Sequence, residues 1–338
     1  MSPLTVGIIG CGKQAPKHLR GFQADRDVEI VLGDIDEARA RALAESEGVR
    51  WAPVDEILAD PSIAAVDLCT PTTTHAGLIE QAVLSGKAFL CEKPLCQTLA
   101  EAERIGRAVL AHEAIGMVGF VYRLVPAFEV GAEVMKGVAE TGTSAVLGRV
   151  VSATFRIGGR GSHRLWKHRR ETGGGAINEM LVHMLDLALW YFGDAREVVV
   201  HRRELLQPQR VIDGVEYAVD AEDYVVVSVR TESGVEVLIQ ADLITPAFSQ
   251  SVEVQGANGT FRGSITADAL SFVHTLKAVE GWPAGRNLID TTQTDFFQAE
   301  VRTFLEAVRE GRAPVLGNVL DAVRLMRVVE EIRTAPVR

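Results

Sequence analysis

The sequence predicts a mixed α/β protein of two domains: an N-terminal Rossmann domain over 1–122, and an α+β domain with a mostly antiparallel sheet over 123–338. Apolar, strand-like runs alternate with helical segments as far as residue 122, which is typical of a parallel sheet. Long β-branched runs separated by short turns follow beyond residue 195, which is typical of antiparallel strands. The length of 338 residues also suits two domains.

Composition and charge argue against several classes of protein. The formal net charge of −10 disfavours a nucleic-acid or anionic-membrane surface. No apolar run approaches the roughly 20 residues that a transmembrane helix needs. A strand begins almost at once, which leaves no room for a cleavable leader. The four cysteines show no metal-site spacing with nearby histidines, so we expect buried free thiols, no metal site and a cytoplasmic protein.

The first βαβ unit carries a glycine-rich turn. The apolar runs Leu4–Ile9 and Val28–Gly33 are predicted strands on either side of the spacing G-x-G-x-x-A, formed by Gly10, Gly12 and Ala15. Gly10 would permit the tight turn, Gly12 would let the backbone approach a pyrophosphate, and Ala15 would let the helix pack closely. The helix N-terminus then offers free N–H groups and a positive dipole end to phosphates. A βαβ unit without a nucleotide is the alternative.

Asp34 ends the second predicted strand, 22 residues after Gly12. An acid at this distance can accept hydrogen bonds from an adenosine ribose and repels a 2′-phosphate, so NAD is favoured over NADP. Arg39 and Arg41 lie farther along and leave a route to a 2′-phosphate open. The candidate cofactor-binding residues of this stretch are Gly10, Gly12, Lys13, Gln14, Ala15, Asp34 and Ile35.

The βα alternation continues after Asp34. Helices are predicted over 36–47, 54–59, 76–85 and 99–114, with 72–75 as a helix cap, and strands over 64–69, 88–91 and 117–121. Ligands bind outside the carboxyl ends of parallel strands. The strand ends therefore supply candidate site residues: Thr70, Pro71, Glu92, Lys93, Tyr122 and Arg123.

The second domain shows a different pattern. Helices are predicted over 126–140, 176–192, 294–310 and 319–332, and strands over 150–157, 197–206, 224–231, 235–243 and 251–254. Hairpin turns are predicted at 232–234 and 257–260. The strands within 224–243 carry apolar residues on both faces, which predicts burial of one face against a second subunit.

Two stretches carry reactive side chains. Lys93 follows a strand end within Glu92-Lys93-Pro94, although a lysine there is more often a solvated charge. Glu179 and His183 are four residues apart, which places them on one face of a helix, with Asp186 three residues further on. A histidine paired with a carboxylate can act as a general base near neutral pH. The same spacing also fits a pair that only stabilises the helix.

A basic loop precedes that helix. Seven of the eleven residues in 160–170 are Arg, Lys or His. The loop either holds a phosphate or carboxylate of the substrate, with Arg164 and Lys167 as the contacts, or pairs with acids as a solvated or interface loop. Trp166 either covers a sugar face or the nicotinamide, or belongs to the core.

Taken together, these motifs resemble the glucose–fructose oxidoreductase, inositol dehydrogenase and rhizopine-catabolism family (Gfo/Idh/MocA), nearly end to end. The resemblance rests on seven features: Gly10-Cys11-Gly12, Asp34, Thr70-Pro71 through His75, Glu92-Lys93-Pro94, Tyr122-Arg123 with Pro126, the run from Gly173-Gly174-Gly175 to His183 and Asp186, and Phe304-Leu305-Glu306-Ala307.

The resemblance implies an NAD-dependent dehydrogenase or ketoreductase acting on a hydroxyl carbon of a sugar, amino sugar or cyclitol. Lys93 and His183 would be catalytic, with Glu179 where the family usually has Asp, and Lys93–Pro94 would be a cis peptide. Cofactor contacts are implied for Thr70, Pro71, His75, Glu92 and Lys93. Substrate contacts are implied for Tyr122, Arg123, Arg164, Trp166, Lys167, Glu179 and His183.

Two other functions stay open. One is a non-catalytic relative that senses NAD or a ligand, and the other is an NAD-dependent glycosidase-like enzyme with no net redox change. The resemblance also points to a homodimer or homotetramer with a small sugar-like substrate.

Overall fold

The structure is a computed structural model that describes residues 3–160, 164–266, 268–279, 281–291 and 295–338. The chain divides into two compact units, Met1–Val121 with Asp295–Met326, and Tyr122–Thr294 with Arg327–Arg338. The sequence analysis placed all of 123–338 in the second domain. The segment 295–326 instead belongs to the first unit, because Val301, Phe304 and Leu305 are buried in the same core as Leu19 and Phe22.

The first unit is built on a six-stranded parallel sheet. Its strands are β1 (Leu4–Ile9), β2 (Val28–Gly33), β3 (Arg50–Trp51), β4 (Ile63–Leu68), β5 (Ala88–Glu92) and β6 (Gly116–Gly119). Their order is β3-β2-β1-β4-β5-β6, which is the doubly wound Rossmann order and confirms the predicted class. The order reverses at β1, so the carboxyl ends of β1 and β4 flank the crevice where such folds bind ligands.

Both units contain helices. In chain order they are α1 (Ala15–Gln23), α2 (Glu37–Glu47), α3 (Val54–Ala59), α4 (Thr72–Leu84), α5 (Leu99–Ala111), α6 (Pro126–Val134), α7 (Val138–Thr141), α8 (Val182–Phe192), α9 (Phe296–Glu310) and α10 (Val319–Thr334). Their ends follow ordinary capping chemistry. Thr98 and Glu101 form a capping box at the start of α5, and the Asp295 side chain accepts two backbone N–H groups of α9.

The second unit carries the mixed sheet. Its strands are β7 (Thr143–Ser144), β8 (Gly148–Gly158), β9 (Ala195–Glu204), β12 (Tyr224–Thr231), β13 (Glu236–Asp242), β14 (Ser249–Gly256), β15 (Gly259–Gly263), β16 (Phe272–Thr275) and β17 (Gly285–Leu288). A separate hairpin consists of β10 (Gln209–Ile212) and β11 (Val215–Ala218). The main order is β17-β16-β15-β14-β8-β13-β12-β9. β8 and β13 run parallel, while the other pairs formed by the described strands are antiparallel.

The two faces of this sheet differ in polarity. Val227 pairs with Ile239 on a fully buried face. On the opposite face Ser228 pairs with Leu238, which is 41% exposed, and Val226 is half-buried. The alternation therefore produces one apolar core face and one mixed face. No helix in the described residues is both long enough and apolar enough to cross a membrane.

The structure corrects several predicted elements. α4 begins at Thr72, so the residues expected to cap it, including His75, lie inside its first turn. The single helix expected over 126–140 is broken at Gly137, which has a φ of 85°. The helix expected over 176–192 opens with a π turn, Ile177–Leu181, before α8. The hairpin β10–β11 was missed, although its Asp213-Gly214 turn is a strong hairpin signal.

Candidate active site

The glycine turn after β1 has the geometry of an anion-binding site. Gly10 has a φ of 96°, and a Cβ there would lie 2.8 Å from Thr70 Cγ2, so only glycine fits. A Cβ at Gly12 would meet nothing within 4 Å, which leaves open space above the turn. α1 begins at Ala15 without a side-chain cap, and its first N–H groups can serve a bound phosphate. Lys13 is exposed beside this space.

Asp34 is fixed at the end of β2 by the backbone. Its Oδ2 accepts the Cys11 N–H at 2.7 Å, and its Oδ1 accepts the Asp36 N–H at 2.9 Å. A carboxylate has about four acceptor positions, so it retains capacity for ribose hydroxyls. Ile35, next in the chain, is 99% exposed.

The two arginines near Asp34 behave differently. The Arg39 guanidinium reaches both Asp34 oxygens at 3.4 Å and also pairs with Asp36 at 3.1 Å. Arg41 pairs with Glu37 and stacks at 4.1 Å over the Trp51 ring. Arg39 is therefore the arginine of the two that lies beside Asp34.

His75 links two strand-end turns. Its Nε2 lies 2.9 Å from the carbonyl oxygen of Thr70, after β4, and its Nδ1 lies 3.0 Å from that of Pro94, after β5. The ring is buried, and burial lowers the pKa of His75. Both ring nitrogens face backbone carbonyl groups, so His75 holds together the turns that carry Pro71 and Lys93. Cofactor binding by His75 stays a prediction.

The Glu92-Lys93-Pro94 turn follows β5, and the implied cis peptide between Lys93 and Pro94 is confirmed. Glu92 is buried, and its Oε1 accepts a hydrogen bond from Gln14 Nε2 at 2.7 Å. Its Oε2 accepts the Lys93 N–H at 3.2 Å. Glu92 thus joins the glycine turn to the lysine turn, while the Lys93 residue itself is half-buried at the carboxyl edge of the sheet.

Behind Glu92 lies a buried cluster of titratable groups that the sequence analysis missed. His18 Nδ1 is 3.0 Å from Asp67 Oδ2, and its Nε2 is 3.2 Å from Glu92 Oε1 and 3.8 Å from Glu300 Oε2. One polar atom each of His18, Asp67 and Cys69 lies within 4.8 Å of the other two. An acid in the middle of an apolar strand, as Asp67 is, was the signal available in the sequence.

In the second unit, Gly175 precedes the helical segment that carries His183, the predicted base. Gly175 has a φ of 113°, and a Cβ there would overlap the Glu222 carboxylate. Glu222 accepts the Ile177 N–H at 3.2 Å and so caps the π turn, and burial raises the pKa of Glu222. π turns are frequent at functional sites.

The π turn carries Glu179, and His183 lies in the first turn of α8. Glu179 forms an ion pair with Lys167. His183 stacks on Tyr122, with ring centroids 4.5 Å apart and planes 23° apart. The pairing of Glu179 with His183 on one helix face stays a prediction. Burial raises the pKa of Tyr122, which therefore stays a neutral phenol.

Arg123 and Asp186 form a buried pair beneath this region. Arg123 Nη2 donates to Asp186 Oδ1 at 2.7 Å and Nε donates to Oδ2 at 3.0 Å, with both side chains at most 5% exposed. The pairing of Asp186 with His183 and the contact of Arg123 with substrate stay predictions, and the ion pair holds both side chains in place.

Acidic side chains contact several residues of the basic loop, 160–170. Lys167 pairs with Glu179, Arg169 lies 3.7 Å from Glu171, and the Arg170 N–H donates to Asp220 at 2.9 Å. Arg164 is exposed, and Trp166 is half-buried with the Lys167 ammonium 5.1 Å from its ring centroid. Gly161, Ser162 and His163 lie outside the described residues.

Comparison with known proteins now supplies the family. Residues 4–120 match the family model GFO_IDH_MocA, described as the oxidoreductase family with an NAD-binding Rossmann fold, and residues 137–262 match the GFO/IDH/MocA C-terminal domain. The chain belongs to the Gfo/Idh/MocA family. It is therefore an NAD-dependent oxidoreductase, and its first unit is the NAD-binding domain.

Named members of the Gfo/Idh/MocA family resemble this chain along most of its length. Inositol 2-dehydrogenase from Rhizobium meliloti (strain 1021) is 28% identical over 326 residues, which cover 94% of this chain and 93% of the relative. An oxidoreductase domain protein from Kribbella flavida has the same fold, with a TM-score of 0.86 at 23% identity, covering 99% and 97% of the two chains. Levoglucosan dehydrogenase in complex with NADH and L-sorbose has a TM-score of 0.84 at 22% identity, covering 98% and 96%.

Proposed function

We propose that the protein is an NAD-dependent dehydrogenase or ketoreductase that moves a hydride between the nicotinamide and a hydroxyl carbon of a cyclitol, sugar or amino sugar. The observation that carries the proposal is the Glu92-Lys93 turn. Its carboxylate is bonded to Gln14 of the glycine turn, so the cation of Lys93 is held at the same strand edge as the nucleotide site.

The residues of the first unit fit NAD. The turn from Gly10 to Ala15 offers its open space and N–H groups to the pyrophosphate, and Asp34 offers carboxylate oxygens to the adenosine ribose. The exposed Ile35 supplies an apolar surface for the adenine. The exposed Lys13 adds positive charge near the phosphates, and Thr70 and Pro71 line the β4 side. When bound, NAD supplies the hydride acceptor.

We assign the proton chemistry to His183 and the charge stabilisation to Lys93. When a hydroxyl carbon loses its hydride, the hydroxyl proton must pass to a base, and a histidine is suited to accept it near neutral pH. Charge that develops on the oxygen is stabilised by the Lys93 ammonium, which is effective because the residue is partly shielded from water. The Tyr122 ring holds the His183 imidazole by stacking.

Glu179 and Lys167 form the polar part of the proposed substrate site. Their ion pair offers both acceptors and donors for vicinal hydroxyl groups. Glu179 is one methylene longer than the Asp that the family usually carries, and that length serves its contact with Lys167. Trp166 and Arg164 are proposed to cover the substrate, and Arg123 acts through Asp186 as a positioning residue.

A neutral polyol fits this site better than an anion, because Lys167 and Arg169 already have acidic partners. A relative named inositol 2-dehydrogenase supports a cyclitol as the first substrate to test. We further propose a cytoplasmic homodimer or homotetramer, with no nucleic-acid or membrane partner, assembled through the mixed face of the second sheet.

The experiment is a screen for NADH formation over cyclitols, sugars, amino sugars and sugar phosphates, followed by variants assayed on the best substrate. Lys93→Ala and His183→Ala should each lower kcat about 100-fold or more, since each removes charge stabilisation or proton transfer. Their affinity for NAD should stay within about threefold of wild type. Lys136→Ala and His201→Ala serve as exposed controls and should retain full turnover. Normal turnover in either site variant would refute the assigned roles.

A further inference from the structure

We propose that His18 is a positioning residue for the reaction: by bridging Asp67 and Glu92 inside the first unit, it fixes the carboxylate that holds the Lys93 turn. The inference rests on the proposed function, because Lys93 is the side chain that this turn presents. No residue of the bridge other than Glu92 was singled out by the sequence motifs.

The bridge is buried and built from three elements. His18 lies on the inner face of α1 and is 0% exposed, Asp67 in β4 is 0% exposed, and Glu92 ends β5. The two ring nitrogens of His18 each face a carboxylate oxygen, at 3.0 Å for Asp67 and 3.2 Å for Glu92. The contact with Asp67 is an ion pair rather than an aligned hydrogen bond.

This geometry selects the charged imidazole. A neutral histidine has one N–H donor, whereas the imidazolium has two, one for each carboxylate. Burial alone would lower the pKa of His18, but the Asp67 carboxylate outweighs burial and raises that pKa well above its usual range. At neutral pH, His18 is therefore the cation of the cluster.

The other titratable groups that face His18 do not remove its positive charge. Burial, reinforced by Glu92 and Asp67, raises the pKa of Glu300 to about 8 despite the nearby His18, so Glu300 is mostly protonated at neutral pH. Burial also raises the pKa of the Cys69 thiol, which donates to Asp67 across 3.6 Å. The cluster thus places the His18 cation between the Asp67 and Glu92 carboxyl groups.

The consequence reaches Lys93 through Glu92. Oε1 of Glu92 accepts a hydrogen bond from Gln14 Nε2 and lies within hydrogen-bond distance of His18 Nε2. Oε2 of Glu92 accepts the Lys93 N–H at 3.2 Å. Without His18, Glu92 Oε1 loses a hydrogen-bond partner inside the unit, so the carboxylate is held less firmly. A less firmly held carboxylate is a poorer acceptor for the Lys93 N–H, and the turn would loosen.

The test compares His18→Gln, Glu92→Gln and the double variant, with His112→Gln as an exposed control in the same unit. We expect His18→Gln to lower kcat about 10- to 100-fold at pH 7, with the KM for NAD within about threefold. The double variant should be no worse than the worse single one, since both changes act on one carboxylate. His112→Gln should match wild type.

Two results would overturn the inference: kcat within twofold of wild type in His18→Gln, or losses that multiply in the double variant. If His18→Gln does not fold, Asp67→Asn decides instead. In Asp67→Asn the His18 imidazolium has lost one carboxylate partner, so His18 should lose its proton at a lower pH. The kcat of this variant should therefore decline at a lower pH than that of wild type. An unchanged pH profile counts against the bridge.

A readout without substrate separates this inference from the proposed function. Hydrogen exchange at the Lys93 amide should be faster in His18→Gln than in wild type, whatever the enzyme turns over. Faster exchange together with a fully active Lys93→Ala would keep the bridge and discard the catalytic assignment. Unchanged exchange together with an inactive Lys93→Ala would keep the catalytic assignment and discard the bridge.

Discussion

At the scale of single residues, we propose that the choice of cofactor depends on Asp34 and on the Arg39 cation beside it. The carboxylate accepts two backbone N–H groups, from Cys11 and Asp36, and Arg39 lies 3.4 Å from both of its oxygens. An acid there repels a 2′-phosphate, while an arginine released from that acid would attract one. On this proposal, one carboxylate sets the selectivity of the site for NAD.

Replacement of Asp34 by Ser should shift the preference from NAD toward NADP. The change removes the repulsive charge and frees Arg39, and a charge-assisted hydrogen bond of about 1.5–3 kcal/mol corresponds to roughly 10- to 100-fold in kcat/KM. Adding Arg39→Ala to Asp34→Ser should cancel the gain. The ratio of kcat/KM for the two cofactors measures the effect, and a ratio unchanged by Asp34→Ser contradicts the role of this acid.

Sequence reasoning singled out residues that belong to a recognisable motif. Gly10, Asp34 and Lys93 all stand at strand ends, where the alternation of strands and helices predicts a ligand edge. His18 and Asp67 were missed because each lies inside an otherwise apolar element, and their meeting depends on how α1 packs over β4. Only the three-dimensional structure shows that their side chains meet.

At the scale of elements, the triple glycine and the π turn together position the residues of the second unit. Gly175 adopts a φ of 113° and leaves room for Glu222, which caps the first N–H groups of the π turn. A regular helix from residue 176 was the expectation, because the apolar spacing of 176–192 contains no sign of a π turn. Such a turn inserts one residue into the helical repeat, and a segment in which most residues are apolar does not reveal that shift.

Gly175→Ala should destabilise the protein by about 3 kcal/mol and lower kcat. A non-glycine residue at this φ costs about 1–3 kcal/mol, and the added methyl group would overlap the Glu222 carboxylate. Gly214→Ala is the matched control, since Gly214 has a φ of 80° with nothing within 4 Å of a Cβ, and it should cost only about 1 kcal/mol. Denaturant unfolding of both variants measures the difference, and equal costs would contradict the packing argument.

At the scale of the whole molecule, buried acids make stability depend on pH. The pKa of Glu300 is raised to about 8 when folded, against an ordinary value near 4.5. Between these values the folded chain binds a proton that the unfolded chain has released, so stability falls as pH rises. The raised pKa of His18 acts in the same direction, because its stabilisation is lost as pH rises through the folded value.

Glu300→Gln should therefore flatten the dependence of unfolding free energy on pH between about 4.5 and 8. A single proton contributes at most about 1.4 kcal/mol per pH unit in this window, and the amide removes that contribution. Glu306→Gln, on the exposed side of the same helix, is the control and should leave the slope as in wild type. A slope that stays unchanged in Glu300→Gln would show that this carboxyl titrates normally.

Assembly through the mixed face of the second sheet gives a further prediction for the whole molecule. The wild-type protein should be a dimer or tetramer by light scattering at micromolar concentration. Leu238→Arg places a charge on that face and should yield monomers, because burying it unpaired in an interface is costly. Leu110→Arg, at a 62% exposed position on α5, should leave the assembly intact. A monomeric wild type would contradict the proposal.

The overall architecture was largely predictable, because hydrophobic periodicity sets both sheets and the turns between them. The membership of 295–326 in the first unit was not, since an amphipathic helix does not reveal which core it covers. In the structure, Val301 and Phe304 complete the core beneath α1.

The most direct test of the central claim is the stoichiometry of NADH in a single turnover. Enzyme saturated with NAD is mixed with a limiting amount of its best polyol, and NADH absorbance is followed beside the amount of substrate consumed. The account predicts one NADH for each substrate oxidised in wild type, with a rate at least about 100-fold lower in His183→Ala. Substrate consumed without accumulation of NADH, or NAD bound with no conversion of any polyol, would contradict it.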